Sequence, residues 1–389
     1  MSERGAPRIA IVAGEHSGDQ LAGSLMRAIR SRAPAADFVG VGGERMEAAG
    51  LESYFPMSDI IVNGIAALFG QLPKLLGRIS ETAGRIIADR PDALVIVDSP
   101  EFTHRVARRV RKALPDVPII NYAPPTVWAV RPWRARSMRA YVDRSMALMP
   151  FEPEAHERLG GPPCDYVGSP IGALLAGRKR ASEKPGKKKT LLALPGSRAT
   201  EIFRHMDVFG EAVAKVWEPG MRVVIPAVSH LERQIRGDAA SWAMPVEIVT
   251  GEAAKWRAFS QATAALAASG TVTLELALLG VPHVVGYRVD MFVAMLKPLL
   301  RVHSVAMSNL VHGSRLVPEF IHKDCTADNL AAALGPLLVD TPARRAQIEG
   351  FARIRAAVDE AGPDPAGTAA DIVLKTIAEK KKAAPEGAA

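Results

Sequence analysis

Residues 8–19 read Arg-Ile-Ala-Ile-Val-Ala-Gly-Glu-His-Ser-Gly-Asp. The stretch begins with an apolar run that ends at Gly14 and continues as a polar loop. A short run of this kind is typical of a strand that is buried on both faces of a parallel sheet. The helical spacing of residues 20–32 directly after it completes a unit of strand, glycine-containing loop and helix. Further apolar runs lie at residues 38–41, 93–97, 119–122 and 145–149. Strands that alternate with helices in this way predict a doubly wound parallel α/β sheet.

The same pattern restarts after residue 189, with apolar runs at 190–194, 221–226, 246–249, 264–268 and 283–287. The polar and strongly basic stretch at 176–189 separates the two series and cannot form a core. We therefore expect two Rossmann-like domains, at 1–175 and 176–359, that face each other across a ligand-binding cleft. The last residues have helical spacing, and we expect a helix at about 360–382 to pack back on the first domain.

Composition narrows the class of protein. The formal charge of +8 favours an anionic partner, but the basic runs are not interleaved with stacking aromatic residues, which argues against nucleic acid. The two cysteines, Cys164 and Cys325, lie far apart and indicate neither a disulfide framework nor a metal site. We find no apolar stretch long enough to span a bilayer and no secretory pattern, so we expect a cytoplasmic protein.

The loop at 14–19 and the end of the run at 93–97 are the candidate polar sites of the first domain. The loop lets a ligand approach backbone N–H groups, although Ser17 or Asp19 capping the helix is an equally good interpretation. Asp98 directly follows a buried strand, where its carboxylate would act as a general base or would cap the next helix. The candidate ligand contacts of the loop are Gly14, Glu15, Ser17, Gly18 and Asp19.

Two loops of the second domain have the chemistry to hold a nucleotide diphosphate. After the run at 190–194, Gly196 and Ser197 permit close contact with phosphate, and Arg198 adds a fixed positive charge unless it pairs with Glu201. After the run at 264–268, the candidates are Ser269, Gly270, Thr271 and, one helical turn on, Glu275, whose carboxylate suits ribose hydroxyls. The chain has no Asp-x-Asp motif, which argues against a bridging metal, and we expect no metal and no cofactor.

Residues 60–79 form an apolar stripe at helical spacing, flanked by Lys74 and Arg78. Such a stripe is more often a core helix, but a helix of this kind also lies in a membrane surface with its basic residues at the headgroups. The basic runs at 105–112 and 131–139 would add attraction to anionic lipid. The candidate membrane contacts are Ile65, Leu68, Phe69, Leu72, Leu75 and Leu76.

Taken together, these segments resemble the lipid-A-disaccharide synthase family, inverting glycosyltransferases of the GT-B type. The resemblance runs from about residue 8 to 375. It rests on the order and spacing of AGEHSGD (13–19), VGVGGERM (39–46), VDSPEF (97–102), PPTVWAVRPWR (124–134), LPGSRATEI (194–202), AASGTVTLE (267–275), VVGYR (284–288) and SNLVHG (308–313).

The resemblance implies transfer from UDP-2,3-diacylglucosamine to 2,3-diacylglucosamine 1-phosphate, with a β-1,6-linked disaccharide and UDP as products. It implies that Asp98 is the general base, that Arg198 stabilises the departing diphosphate, and that Glu275 and Asn309 belong to the nucleotide site. It also implies a peripheral position on the cytoplasmic leaflet of the inner membrane. The oligomeric state, a homodimer included, stays open.

Two stretches depart from the family pattern. The chain has Pro124-Pro125 where many relatives have Ser-Pro, and Ser169 where they often have histidine. These changes leave the role of position 169 in doubt. A catalytically reduced nucleotide-sugar-binding paralogue, or another enzyme of the same architecture such as a nucleotide-sugar epimerase, remains the alternative.

Overall fold

The computed structural model describes residues 6–61, 65–186, 188–288 and 304–383. The chain divides into two compact units, Met1–Pro170 with Ala361–Ala389, and Ile171–Glu360. Within the described residues, every strand pairing is parallel.

The first unit is a seven-stranded sheet of order β3-β2-β1-β4-β5-β6-β7. Its strands are β1 Arg8–Ala13, β2 Asp37–Val41, β3 Glu52–Ser53, β4 Ala93–Val97, β5 Ile119–Tyr122, β6 Arg144–Ala147 and β7 Cys164–Tyr166. Its helices before the second unit are α1 His16–Arg32, α2 Glu44–Ala48, α3 Ile65–Asp89, α4 Pro100–Ala113, α5 Trp133–Met138 and α6 Glu152–Arg158, with a 3-10 turn at Met57–Asp59.

The second unit is a six-stranded sheet of order β10-β9-β8-β11-β12-β13. Its strands are β8 Thr190–Leu194, β9 Arg222–Ala227, β10 Val246–Thr250, β11 Ala264–Ala267, β12 His283–Tyr287 and β13 Glu319–Ile321. Its helices include α7 Pro170–Leu175 at the junction, α8 Ala199–Val216, α9 Glu232–Ala239, α10 Glu252–Gln261, α11 Val272–Leu278, α12 Met307–His312, α13 Ala327–Leu334 and α14 Pro342–Asp359. Short 3-10 turns lie at Ser229–Leu231, His322–Asp324 and Gly335–Leu338.

Burial explains why the long apolar runs are central strands. In β1, Ile9 and Ile11 pack into the core on one face of the sheet, whereas Ala10 and Val12 pack into the core on the other. In β8, Leu191, Leu192 and Ala193 are all fully buried. A strand that is covered on both faces has no polar alternation, and this is the pattern that the sequence carries.

The C-terminal helix α15, Pro365–Ala383, packs on the first unit. Ala369, Val373 and Ile377 join the core that contains Ile9 and Met26. An ion pair between Arg32 and Asp371, with an Nε–Oδ1 distance of 2.5 Å, adds an exposed contact to α1. The chain therefore returns to its first unit after completing the second.

Three strands, β3, β7 and β13, have no counterpart among the predicted apolar runs. Each is two or three residues long and lies at a sheet edge, and none is fully buried. Edge strands with half-exposed residues lack a continuous apolar signal, so their position depends on the neighbouring strand rather than on local sequence.

Candidate active site

The strand order of each sheet creates one switch point, where the loops that follow two neighbouring strands lead to opposite sides. In the first sheet β1 and β4 are neighbours whose chain continuations diverge, and in the second β8 and β11 have the same relation. Ligands of doubly wound sheets bind at the carboxyl ends of the strands at such switch points. In the pairing register Ala13 lies opposite Val97, and Leu194 lies opposite Ala267. The predicted loops therefore meet in pairs.

Gly14 and the Asp98–Ser99 segment are in close contact at the first switch point. A Cβ atom on Gly14 would lie 2.5 Å from Cβ of Ser99, so only glycine fits there. Asp98 and Ser99 both adopt left-handed backbone conformations, with φ of 53° and 43°. Non-glycine residues rarely hold this conformation, and it is concentrated at functional sites.

The Asp98 carboxylate is fixed by two hydrogen bonds. The Ser17 hydroxyl donates to Oδ2 at 2.7 Å, and the Ser99 backbone N–H donates to Oδ1 at 2.7 Å. The N-cap of α4 is Ser99, so Asp98 is held in the loop before the helix rather than capping it. Both donors are neutral groups, and each carboxylate oxygen accepts one of them, so lone pairs remain for further hydrogen bonds.

Glu15 lies close enough to Asp98 for their charges to interact. Burial raises the pKa of Glu15, and the negative charge of Asp98 raises it further. Glu15 and Ser17 line a cavity of about 490 Å³ whose apolar wall includes Ile60, Ile61 and Leu75. We call this the apolar cavity. Gly18 is buried against Asp98 and packs beneath it.

Asp19 is not part of the lining of the apolar cavity. It is 3% exposed, and its carboxylate accepts hydrogen bonds from the backbone N–H groups of Gly43, Arg45 and Met46. It therefore caps α2, a helix that lies next to its own helix only in the folded chain. The prediction that Asp19 binds ligand is wrong in this structure, and so is the alternative that it caps α1.

The second switch point has a cavity of about 570 Å³ in the second unit. It brings together seven predicted residues, which are Gly196, Ser197, Arg198, Ser269, Gly270, Thr271 and Glu275. Gly196 has a φ of 130°, and a Cβ atom on it would lie 2.5 Å from Cβ of Glu201. Glycine is thus required where the chain turns from β8 into α8.

Arg198 combines the two interpretations that the sequence left open. Its Nη1 lies 3.1 Å from Oε1 of Glu201, yet its side chain is 78% exposed. The guanidinium group is therefore open to solvent at the cavity, whereas its partner Glu201 is only 11% exposed.

The hydrogen-bond donors of these loops are less free than the sequence suggested. Glu201 accepts the backbone N–H groups of both Ser197 and Arg198, so phosphate binding would depend on the Ser197 hydroxyl and the Arg198 guanidinium. The Ser269 hydroxyl donates to the backbone oxygen of Val305 at 2.7 Å. Ser269 therefore shapes the loop and offers a ligand only its oxygen.

Lys255 is a cavity residue that our sequence analysis missed. Its Nζ lies 2.6 Å from Oε2 of Glu275 in an ion pair, and 4.3 Å from the ring centre of Trp256. The ammonium group holds Glu275, which is 13% exposed, at the cavity wall. Gly251 immediately after β10 is the one local signal that marks this third loop.

Asn309 is not part of the lining of the cavity in the second unit. It is fully buried, its Nδ2 donates to the backbone oxygen of Val317 and to Glu319, and its Oδ1 accepts the Val317 N–H. The side chain closes the turn between α12 and β13. The implied contact of this side chain with the nucleotide is therefore not present in the structure.

The stripe on α3 divides between core and surface. Leu75 is 6% exposed and belongs to the core, so its predicted membrane contact is wrong, whereas Leu72 and Leu76 are 39% and 40% exposed. The side chains of Ile65, Leu68 and Phe69 lie outside the described residues. Ser169, the departure from the family pattern, is buried, and its hydroxyl has no hydrogen-bond partner within the described part of the chain.

The described ranges contain neither a cluster of metal ligands nor a membrane-spanning helix. No group of three or more His, Cys, Asp or Glu side chains there is arranged to hold a metal ion. Among the helices of the same ranges, none has the length and apolar character needed to cross a bilayer.

Two parallel α/β units, each with a polar site at its switch point, define a glycosyltransferase fold of the GT-B type. Solved structures agree on the fold. A putative UDP-N-acetylglucosamine 2-epimerase from Listeria monocytogenes has a TM-score of 0.61 at 14% identity, with 98% of each chain covered. The calicheamicin glycosyltransferase CalG4 has a TM-score of 0.59 at 14% identity, with 98% of this chain and 100% of the other covered.

Sequence comparison identifies the family. The family model described as "Lipid-A-disaccharide synthetase" matches residues 9–372. The lipid-A-disaccharide synthase of Bradyrhizobium diazoefficiens is 46% identical over 383 residues, which cover 96% of this chain and 98% of that protein. That of Nitrobacter hamburgensis is 48% identical over 380 residues, with coverage of 95% and 96%. The chain belongs to the lipid-A-disaccharide synthase family, and it is a glycosyltransferase of lipid A biosynthesis.

Proposed function

We propose that the protein transfers a 2,3-diacylglucosamine unit from its UDP derivative to 2,3-diacylglucosamine 1-phosphate, forming a β-1,6 bond and releasing UDP. The observation that carries this proposal is Asp98. It is a carboxylate at the carboxyl end of a central strand, held in a left-handed conformation and hydrogen-bonded by two neutral donors. Family membership supports the choice of the two substrates, and the positions of Asp98 and Arg198 support a base and an anion-binding loop.

In the proposed reaction Asp98 accepts the proton of the acceptor 6-hydroxyl as its oxygen attacks the anomeric carbon of the donor. The bond from that carbon to the UDP oxygen breaks, and negative charge grows on the diphosphate. Arg198 is exposed beside the second cavity and would stabilise this charge. Glu275, held by Lys255, would accept hydrogen bonds from the ribose. That the two sites face each other is a prediction from the sequence.

The test is a UDP-release assay with purified protein and defined substrates. We expect UDP only when both diacylated sugars are present, together with a disaccharide 1-phosphate of the expected mass. Release of UDP from the donor alone would indicate a hydrolase, and interconversion of a UDP-sugar at C2 would favour the epimerase alternative.

We also propose that α3 contacts the membrane surface that supplies these lipids. Leu72 and Leu76 are partly exposed apolar side chains on a helix with Lys74 beside them. Replacing both leucines with glutamate should reduce co-flotation with vesicles of anionic phospholipid, because it removes apolar contact and adds repulsion.

The control for this test is Leu174→Glu, since Leu174 is also exposed, at 45%, and lies outside the helix. Thermal melts of each variant show whether the fold is intact. Equal flotation of the double variant and the unmodified protein would contradict the membrane role of this helix.

A further inference from the structure

A second cavity in the first unit is lined by Asp98 and Pro100, at the start of helix α4. Its volume is about 360 Å³, within the range of small-ligand sites. Pro100 lines both cavities, so the two adjoin at the predicted base. We call it the arginine cavity, and its lining includes Asp98, His104, Pro124, Pro125, Arg131 and Arg134.

Backbone strain is concentrated around the arginine cavity. Within the described ranges six non-glycine residues have a left-handed φ. Four of them lie at or beside this cavity, which are Asp98, Ser99, Ala123 and Arg131. Such conformations persist only where the surroundings enforce them, and they cluster at ligand sites. The left-handed conformations therefore occur around the whole arginine cavity and not only in the Asp98 loop.

The charge at this corner is predominantly positive. Arg131 Nη1 lies 3.0 Å from the Glu101 carboxylate, Arg134 donates a short hydrogen bond to the same oxygen, and Arg105 lies 3.9 Å away. Burial raises the pKa of Glu101, but the hydrogen bond from Arg134 and the charges of the arginines outweigh it and lower the pKa. Glu101 thus pairs with three guanidinium groups, and the cavity lining itself carries Arg131 and Arg134 against the single carboxylate of Asp98.

The other residues of the lining, including His104 and the apolar side chains, add no charge to the arginine cavity. Burial, with the charges of Arg108 and Arg134, lowers the pKa of His104 to about 4, so this imidazole is neutral at pH 7. Its Nδ1 lies 2.9 Å from the Tyr141 hydroxyl. Apolar Pro124, Pro125 and Val130 complete the lining.

We propose that Arg131 and Arg134 bind the phosphate of the acceptor sugar and thereby bring the hydroxymethyl group of the same sugar to Asp98. The proposal rests on the proposed function, because it assigns a site to one of its two substrates. In an aldose 1-phosphate, the phosphate-bearing carbon and the carbon that carries the hydroxymethyl group flank the ring oxygen. One sugar ring therefore links a phosphate at the two arginines to a hydroxyl at the base.

Two other roles fit the same residues and give different results. The arginines could be structural partners of Glu101, or two members of a basic surface that attracts any anionic membrane. Glu101→Gln tests the first alternative, because it removes the ion pair and leaves both guanidinium groups free. Arg136→Ala separates the second, because Arg136 is exposed on the same helix α5 and is not part of the cavity lining.

The first measurement is the binding of a soluble probe, glucosamine 1-phosphate, by calorimetry or NMR, with glucosamine as the matched ligand. We expect the unmodified protein to prefer the phosphorylated probe. Arg131→Ala and Arg134→Ala should each raise the Kd for it roughly 10- to 100-fold, as expected for lost hydrogen bonds to a charged group. Glu101→Gln should keep or lower that Kd, and Arg136→Ala should leave it unchanged.

The second measurement is turnover with diacylglucosamine acceptors that carry or lack the 1-phosphate. In Arg134→Ala, KM for the phosphorylated acceptor should rise with little change in kcat, and KM for the unphosphorylated acceptor should stay the same. Arg134→Lys, which keeps the charge and loses the planar fork, should be intermediate and serves if the alanine variant does not fold.

Several results would overturn the proposal. They are equal affinity of the unmodified protein for both probes, weakening by Glu101→Gln as large as that by Arg134→Ala, or an equal loss in Arg136→Ala. Because probe binding needs no catalysis, failure of the proposed function appears as probe binding without transfer. Failure of this proposal appears as transfer that ignores the phosphate.

Discussion

The loop after β1 and the loop after β8 occupy equivalent positions in their sheets, yet their charged groups are arranged differently. At the first loop two carboxylates, Glu15 and Asp98, interact with each other, and Asp98 accepts bonds from a hydroxyl and an amide. At the second loop Arg198 pairs with Glu201, and Lys255 pairs with Glu275. Equivalent positions in the two sheets thus carry different charged groups, which supports the proposed base in the first unit and the proposed anion site in the second.

This difference in charge matches the different demands of the two proposed roles. A base needs a carboxylate whose charge no cation neutralises, because neutralisation would weaken its hold on a proton. A site for a leaving diphosphate needs cations that are in place but not tightly held. Arg198 fits that need, because its guanidinium group is 78% exposed beside the cavity of the second unit.

Removing the base should have the largest effect. Asp98→Asn keeps the left-handed backbone, since asparagine tolerates that conformation, and it should lower kcat by about 10²- to 10⁴-fold as expected for loss of general base catalysis. The measurement is steady-state UDP release. Exposed Asp116→Asn is the control, and turnover of Asp98→Asn close to that of the control would refute the assignment of Asp98 as the base.

Removing the cation of the second loop should have the next largest effect. Arg198→Ala should reduce kcat by about 10²- to 10³-fold, because charge that grows only in the transition state loses its partner. UDP binding by calorimetry should change less than kcat. A change in Kd as large as the change in kcat would show that Arg198 acts in ground-state binding instead, and Arg233→Ala gives the baseline for an exposed arginine of the same unit.

Glu275 tests the paired arrangement of the second loop. Glu275→Gln should raise the Kd for UDP by about 10-fold through a lost charge-assisted hydrogen bond to the ribose. Its Kd for deoxyuridine diphosphate lacking the ribose hydroxyl should change less. Glu247→Gln, an exposed pair with Arg222, is the matched control. An equal loss for both nucleotides would assign Glu275 to the support of Lys255.

The interaction of the two carboxylates should give the smallest effect. Because Asp98 raises the pKa of Glu15, Asp98→Asn should lower it, as measured by carboxyl NMR titration. Because folding raises the pKa of Glu15 above its ordinary value of 4.5, the free energy of unfolding should fall as the pH rises from 4.5 through the raised pKa. This fall in stability should be smaller in Asp98→Asn. An unchanged Glu15 titration would mean that the charges do not interact.

The extent to which the site was predictable follows from what each residue contacts. Asp98 and Arg198 line cavities, as the sequence predicted, because both follow buried strands and parallel strands end at the same edge of a sheet. Asp19 was misassigned because the N–H groups that it caps lie 24 to 27 residues further along the chain. Asn309 belongs to a turn whose partner, Glu319, is likewise absent from its local sequence.

The sequence by itself determined the strand–helix alternation, the two long series of buried strands and the loops at their ends, because these depend on runs of neighbouring residues. Only the tertiary structure decided that Leu75 points into the core, that Lys255 holds Glu275, and that Arg131 and Arg134 meet beside Asp98. These arrangements join side chains from different helices and loops. Their distances are set by how the elements pack, and packing leaves no periodic signal in the sequence.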